Sequence, residues 1–163
     1  MIKVGDTLPD ATFTVMGENG PTTKTTADIF KGKKVVIFGV PGAFTPTCHG
    51  NHLPGYIDHA DEIKAKGVST IAVVSVNDVF VMAAWSKASH AEAIEFLADG
   101  SAAFTKAIGM SLDLTERGLG IRSQRFSMFV NDGVVQKVNL EENVGKADLT
   151  VRNRTGRRAV DRF

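Results

Sequence analysis

The chain has one cysteine, Cys48, in 163 residues. No internal disulfide can close, so any oxidised form is a sulfenic acid, an intermolecular disulfide or an adduct with a small thiol. That usage fits a reducing compartment and excludes a disulfide-stapled secreted scaffold. No stretch approaches the ~20 apolar residues of a membrane span. The opening Met1-Ile2-Lys3-Val4-Gly5-Asp6 has no basic segment followed by an apolar one, so we read the chain as soluble and cytoplasmic. The histidines His49, His52, His59 and His90 show no metal-ligand spacing, and no second cysteine joins them; neither a metal nor a cofactor is expected. Internal repeats and low-complexity segments are also absent.

The length suits one domain that buries about two thirds of its unfolded surface in a single core. A formal net charge of +1 conceals an asymmetry: residues 1–150 carry 14 Lys and Arg against 17 Asp and Glu (−3), and residues 151–163 carry five Arg against one Asp (+4). At that basic end Val151, Ala159, Val160 and Phe163 make a poor apolar stripe, and Thr155-Gly156-Arg157-Arg158 suits a loop. We therefore divide the chain into a folded domain over 1–148 and a basic tail over 149–163, read as solvated charge rather than a nucleic-acid contact.

Within the domain, the alternation in Ala11-Thr12-Phe13-Thr14-Val15-Met16, the Gly17-Glu18-Asn19-Gly20-Pro21 turn and a threonine-rich return predict an N-terminal β-hairpin at a sheet edge. Lys34 to Val40 is a continuous apolar run of strand length, as in central strands covered on both faces. Leu53, Tyr56, Ile57, Ala60 and Ile63 fall at helical spacing up to Lys66-Gly67, with a kink expected at Pro54. Val68 to Val76 predicts a second buried strand, and Asn77-Asp78 can cap an apolar helix over Val79 to Ala88. A third strand follows at Ile94 to Leu97, then a short helix at Ser101 to Ile108. Arg125 to Val130 and Val134 to Leu140, joined by Asn131-Asp132-Gly133, form the strongest hairpin signal. The β-α-β-α order predicts an α/β fold, a mixed central sheet flanked by helices.

Cys48 lies between the first buried strand and the first helix. Free cysteines are commonly buried, inert hydrophobes. Here the thiol sits where unpaired backbone N–H groups and the positive end of a helix dipole favour a thiolate, with Pro46 suited to the opening turn and Thr45 offering a hydroxyl. These features make Cys48 a candidate nucleophile at a strand-to-helix junction, where α/β folds place ligands.

The string Phe38-Gly39-Val40-Pro41-Gly42-Ala43-Phe44-Thr45-Pro46-Thr47-Cys48 closely resembles the peroxiredoxins, and within them the peroxiredoxin 5 type. So do His52-Leu53-Pro54-Gly55, Ser75-Val76-Asn77-Asp78, Trp85 and Arg125-Phe126-Ser127-Met128. The resemblance runs from about Ile2 to about Asp148. It implies a thioredoxin-like fold and the reduction of hydrogen peroxide and alkyl hydroperoxides through Cys48, the peroxidatic cysteine, cycling via a sulfenic acid. It further implies that Thr45 and Arg125 hold the peroxide and the thiolate and that Pro41 shields the site. With no second cysteine the chain would be a one-Cys enzyme, recycled by glutathione, glutaredoxin or thioredoxin. A non-covalent homodimer is implied beside the active-site loop, with Phe44 and Phe80 as candidate interface residues.

The residue chemistry fits those roles. Attack on an O–O bond builds negative charge on the departing oxygen, and Thr45, Arg125 and the Cys48 N–H are candidate donors for it. Arg122 competes with Arg125, but only Arg125 directly precedes Phe126-Ser127-Met128. His52, four residues beyond Cys48 on the same helical face, is read as structural or peroxide-adjacent. A hydrolase using Cys48 and His52 lacks a marked orienting residue and oxyanion hole. The alternative to a peroxidase is a thioredoxin-fold module that senses peroxide through Cys48 without efficient turnover. His49 departs from the small residue often found after the peroxidatic cysteine.

Overall fold

A computed structural model describes residues 1–143. The tail assigned to 149–163, and with it the boundary at 148, lies outside the described residues. The N-terminal hairpin forms as expected, with β1 (Thr12–Gly17) antiparallel to β2 (Gly20–Thr25). Thr25 then caps a short helix, α1 (Thr26–Phe30): its hydroxyl accepts the Asp28 N–H at 3.2 Å while the Asp28 carboxylate accepts the Thr25 N–H at 2.8 Å. The apolar run becomes β3 (Lys34–Val40).

Helical backbone opens at Pro46, passes through a π turn over Cys48–His52, and continues as α2 (Leu53–Asp58) and α3 (Ala60–Ala65). The irregularity expected at Pro54 sits just ahead of it. Proline has no N–H to give the carbonyl four residues back, and in the turn before it the Leu53 N–H reaches the Cys48 carbonyl, five residues back. A second interruption, at His59 (φ −108°, ψ 9°), separates α2 from α3 and was not expected.

Next come β4 (Thr70–Ser75) and α4 (Val79–Ala88), whose cap Asp78 accepts the Val81 N–H at 2.9 Å. They are followed by β5 (Glu95–Ala98) and α5 (Ala103–Ala107). A two-stranded ribbon of β6 (Ser111–Leu114) and β7 (Gly120–Ser123) precedes the final hairpin, β8 (Phe126–Asn131) and β9 (Val134–Leu140). Neither α1 nor the ribbon was anticipated. Among the described residues no helix is long and apolar enough to cross a membrane.

Seven strands form one sheet in the order β2-β1-β5-β4-β3-β8-β9. β3, β4 and β5 run parallel, and β1, β8 and β9 are antiparallel to their neighbours. Strand alternation divides the apolar residues between two buried layers. Val36, Phe38, Val40, Ile71 and Val73 pack with Leu53, Tyr56, Ile63, Met82 and Trp85. Val35, Ile37, Ala72 and Val74 pack on the other side with Phe13, Ile29, Phe104 and Met128. This is the mixed, helix-flanked sheet of a thioredoxin-like fold.

One contact between β3 and β8 bears directly on the site. Gly39 pairs with Phe126, and a Cβ at Gly39 would lie 2.1 Å from the Phe126 ring. The missing side chain lets that ring cover β3, which fixes the start of β8 against the end of β3. Arg125, the residue before Phe126, is thereby brought to the same end of the sheet as the segment that follows Val40.

Candidate active site

The segment after β3 is tied down from three directions. The Asn77 side-chain oxygen accepts the Ala43 N–H at 3.0 Å and the Ser75 hydroxyl at 2.6 Å. Arg122 donates from Nη1 to the Pro41 carbonyl at 3.4 Å and from Nε to the Leu119 carbonyl at 2.8 Å. Gly42 lies so close beneath that guanidinium that a Cβ would come within 2.8 Å of Nη1. The Thr45 hydroxyl donates to the Gly42 carbonyl at 2.6 Å. Phe44 takes a left-handed conformation (φ 61°), rare for a bulky residue, and leaves its ring 47% exposed. The loop is thus held in a strained shape by contacts at its backbone.

Cys48 follows in the first helical turn and is wholly buried. Arg125, 1% exposed, donates from Nη2 to the Cys48 sulfur at 3.3 Å and from Nη1 to His52 Nδ1 at 2.9 Å. A guanidinium can only donate, so Nδ1 accepts and the proton of the neutral ring lies on Nε2. Among the described residues Nε2 has no hydrogen-bond partner. His52 packs against Phe38 and Tyr56, and those two rings stack at 4.0 Å. Tyr56 is hydrogen-bonded to Ser127, and burial pushes its phenol well above the usual range. Burial, and secondarily the Arg125 cation, hold the His52 imidazole well below its ordinary value. One planar cation therefore bridges the only thiol and a neutral histidine in an enclosed, mostly apolar setting.

The Redoxin family pattern matches residues 3–153. Peroxiredoxin-2C of Oryza sativa subsp. japonica is 50% identical over 143 residues, covering 86% of this chain and 88% of that protein. This chain is a peroxiredoxin of the peroxiredoxin 5 type. Reduced Prx3 from Vibrio vulnificus, solved in complex with H2O2, superposes with a TM-score of 0.87 at 50% identity, over 96% of each chain. Peroxiredoxin 5 from Alvinella pompejana superposes with a TM-score of 0.82 at 35% identity over the whole of both chains. The protein is a thiol-dependent peroxidase, and its single buried cysteine supplies the peroxidatic group.

In this peroxiredoxin the structure brings Cys48 and Arg125 into contact, and Pro41 is buried in the loop that Arg122 holds. Arg122, the competing arginine, grips the loop backbone instead of the sulfur. Thr45 corrects an expectation: its hydroxyl proton is given to Gly42, so what it offers in this arrangement is a lone pair rather than a donor. Two loop-holding residues were missed. Asn77 appeared as part of a helix cap and of the family-like string Ser75-Val76-Asn77-Asp78, but no pattern in sequence links it to a backbone N–H 34 residues earlier. Trp85 donates its indole N–H to His49 Nδ1 at 3.0 Å, a contact with no local signature.

The depressed His52 value carries a stability prediction. The folded state keeps the ring neutral, whereas the unfolded chain binds a proton near the ordinary value of about 6.5. Stability contributed by His52 is thus present above about pH 6.5. It is lost as pH falls from there toward the lower folded-state value, by at most ~1.4 kcal/mol per pH unit. Urea unfolding between pH 7.5 and 5.5 checks this: His52→Asn, which keeps an acceptor for Arg125, is expected to be less pH-sensitive than the parent. Equal slopes would show that His52 protonates alike in both states.

Proposed function

We propose that the peroxidase reduces hydrogen peroxide and alkyl hydroperoxides in a site formed by Pro41, Thr45, Cys48 and Arg125, and that glutathione, directly or through glutaredoxin, restores the thiol. The observation that carries this reading is the Arg125 guanidinium held against the Cys48 sulfur. The cation stabilises the thiolate, and the same planar fork is placed to donate to an approaching peroxide oxygen. Thr45, its proton engaged by Gly42, accepts the peroxide O–H. The thiolate attacks one oxygen and the O–O bond breaks. The other oxygen departs as water or an alcohol after taking a proton, leaving the Cys48 sulfenic acid. Pro41 covers the pair from the loop.

With one cysteine, the electrons that restore the enzyme come from an external thiol. A tripeptide thiol needs a smaller opening to reach a wholly buried sulfur than a protein dithiol does. Such recycling suits a reducing compartment, and we place the protein in the cytoplasm. The exposed rings of Phe44 and Phe80, at 47% and 65%, are assigned to a non-covalent interface between two copies.

Peroxide consumption measured with glutathione alone, with glutaredoxin plus glutathione, and with a thioredoxin system tests this reading. Sustained turnover is expected in one of the first two, from a species that sediments as two copies. Turnover confined to thioredoxin would reassign the reductant. A single stoichiometric oxidation with no turnover in any arm would favour the sensor reading.

A further inference from the structure

A wholly buried sulfur poses a problem for the second half of the cycle. The thiol sulfur of the reductant must attack the sulfenic sulfur. The S–O bond breaks, the hydroxyl leaves with the thiol's proton as water, and a mixed disulfide forms; a second thiol then frees Cys48 and releases the reductant's disulfide. In the arrangement described, Cys48 has no exposed surface and Arg125 stands against it. The turn that carries it must shift for the reductant to arrive.

The contact next to the sulfur points to what holds that turn. Trp85 is wholly buried on α4, and its one polar atom, the indole Nε1, donates to Nδ1 of the exposed His49 at 3.0 Å. The His49 ring also lies over Phe44, centroids 5.6 Å apart, and Phe44 lies against Trp85 at 6.4 Å. A cross-link thus runs from the residue after Cys48 to α4. His49 also borders a hollow of about 280 Å³, shared with Pro54, Ile57, Asp58 and Ser89. The hollow gives the ring somewhere to go, with a carboxylate at hand. Ser89 there has a buried hydroxyl that, among the described residues, lacks a hydrogen-bond partner.

We propose that His49 is a positioning residue: by accepting the Trp85 indole N–H it seats the Cys48 turn for reaction with peroxide, and releasing that bond admits the external thiol to the oxidised cysteine. This rests on the thiol-recycled peroxidase reading above. Losing the bond moves the two half-reactions in opposite directions, because a loosened turn presents the thiolate less well to peroxide and the sulfenic acid better to a thiol.

The test compares the full chain with His49→Ala and with His49→Asn, whose side chain restores an acceptor near Nδ1. Rapid-quench mass spectrometry gives the rate of Cys48 sulfenic acid formation with hydrogen peroxide and the rate of its loss on adding glutathione. For His49→Ala we expect oxidation about fivefold slower and reduction about fivefold faster, the scale of one hydrogen bond. For His49→Asn both rates are expected within about twofold of the parent. The single tryptophan supplies one indole N–H resonance, which is expected to move in His49→Ala and stay in place in His49→Asn. The proposal is overturned if His49→Ala matches the parent in both rates, or if His49→Asn behaves like His49→Ala. An indole resonance indifferent to His49 would overturn the link itself and leave the peroxidase reading intact. A parent protein that forms no sulfenic acid would remove that reading and the proposal with it, whatever the indole resonance does.

Discussion

Cys48→Ser is expected to bring peroxide turnover down to the uncatalysed background while the protein stays folded. A serine hydroxyl is barely ionised at neutral pH and is a poor nucleophile toward oxygen, and no second thiol exists to take over. The fold tolerates the change for a local reason. The oxygen that replaces the buried sulfur finds Arg125 Nη2 beside it as a donor, so it is not left unpaired, and the side chain is of similar size. The surrounding Val40, Leu53 and Phe38 keep their contacts with the rest of the layer. Peroxide consumption with a glutathione-coupled readout, alongside far-UV circular dichroism, checks both halves. Retained turnover in the variant would remove Cys48 as the nucleophile.

The second large effect belongs to Arg125. Arg125→Lys is expected to slow Cys48 oxidation by about two to three orders of magnitude, the range seen when one preorganised donor to a developing negative charge is lost. The guanidinium meets the sulfur and His52 Nδ1 through two separate nitrogens. A lysine ammonium is a single point of charge on a flexible stem and would satisfy one of them poorly and the other not at all. Arg122→Lys supplies the contrast. Among the described residues Arg122 donates to the carbonyls of Pro41 and Leu119, contacts that an ammonium can make in part, and a loss of less than about tenfold is expected. Second-order rates of sulfenic acid formation for the two variants separate the roles. Small, equal losses would place the catalytic cation elsewhere.

Much of this site is legible in the chain because its strongest signals are local. Lys34 to Val40 reads as a strand covered on both faces, Pro46 as a helix start, and Asp78 as a cap, and each is found there. Arg125 could be ranked above Arg122 because its three following residues match a family string. What the chain does not display is contact between distant segments. The tie from Asn77 to Ala43 spans 34 residues, that from Trp85 to His49 spans 36, and that from Arg125 to His52 spans 73. Each depends on the sheet order, which the residues imply only as a class of fold. Thr45 shows a further limit: residue type reveals that a hydroxyl is available, but only geometry reveals that Gly42 already holds its proton.

The widened turn over Cys48–His52 makes chain length itself a property of the site. An α-helix advances about 100° per residue, so a single residue more or less between a side chain and the body of the helix turns that side chain to another face. With five residues in the π turn, Cys48 and His52 both meet one guanidinium. If that stretch lost a residue and relaxed into ordinary α-helix, Cys48 would swing about 100° relative to α2 and the shared contact would be broken. Gly50 and Asn51, both exposed, would then matter for the phase they keep rather than for their side chains. At Gly50 an added methyl would meet nothing within 4 Å. At Gly50 and Asn51 the composition is free to drift, but the length of the stretch is not.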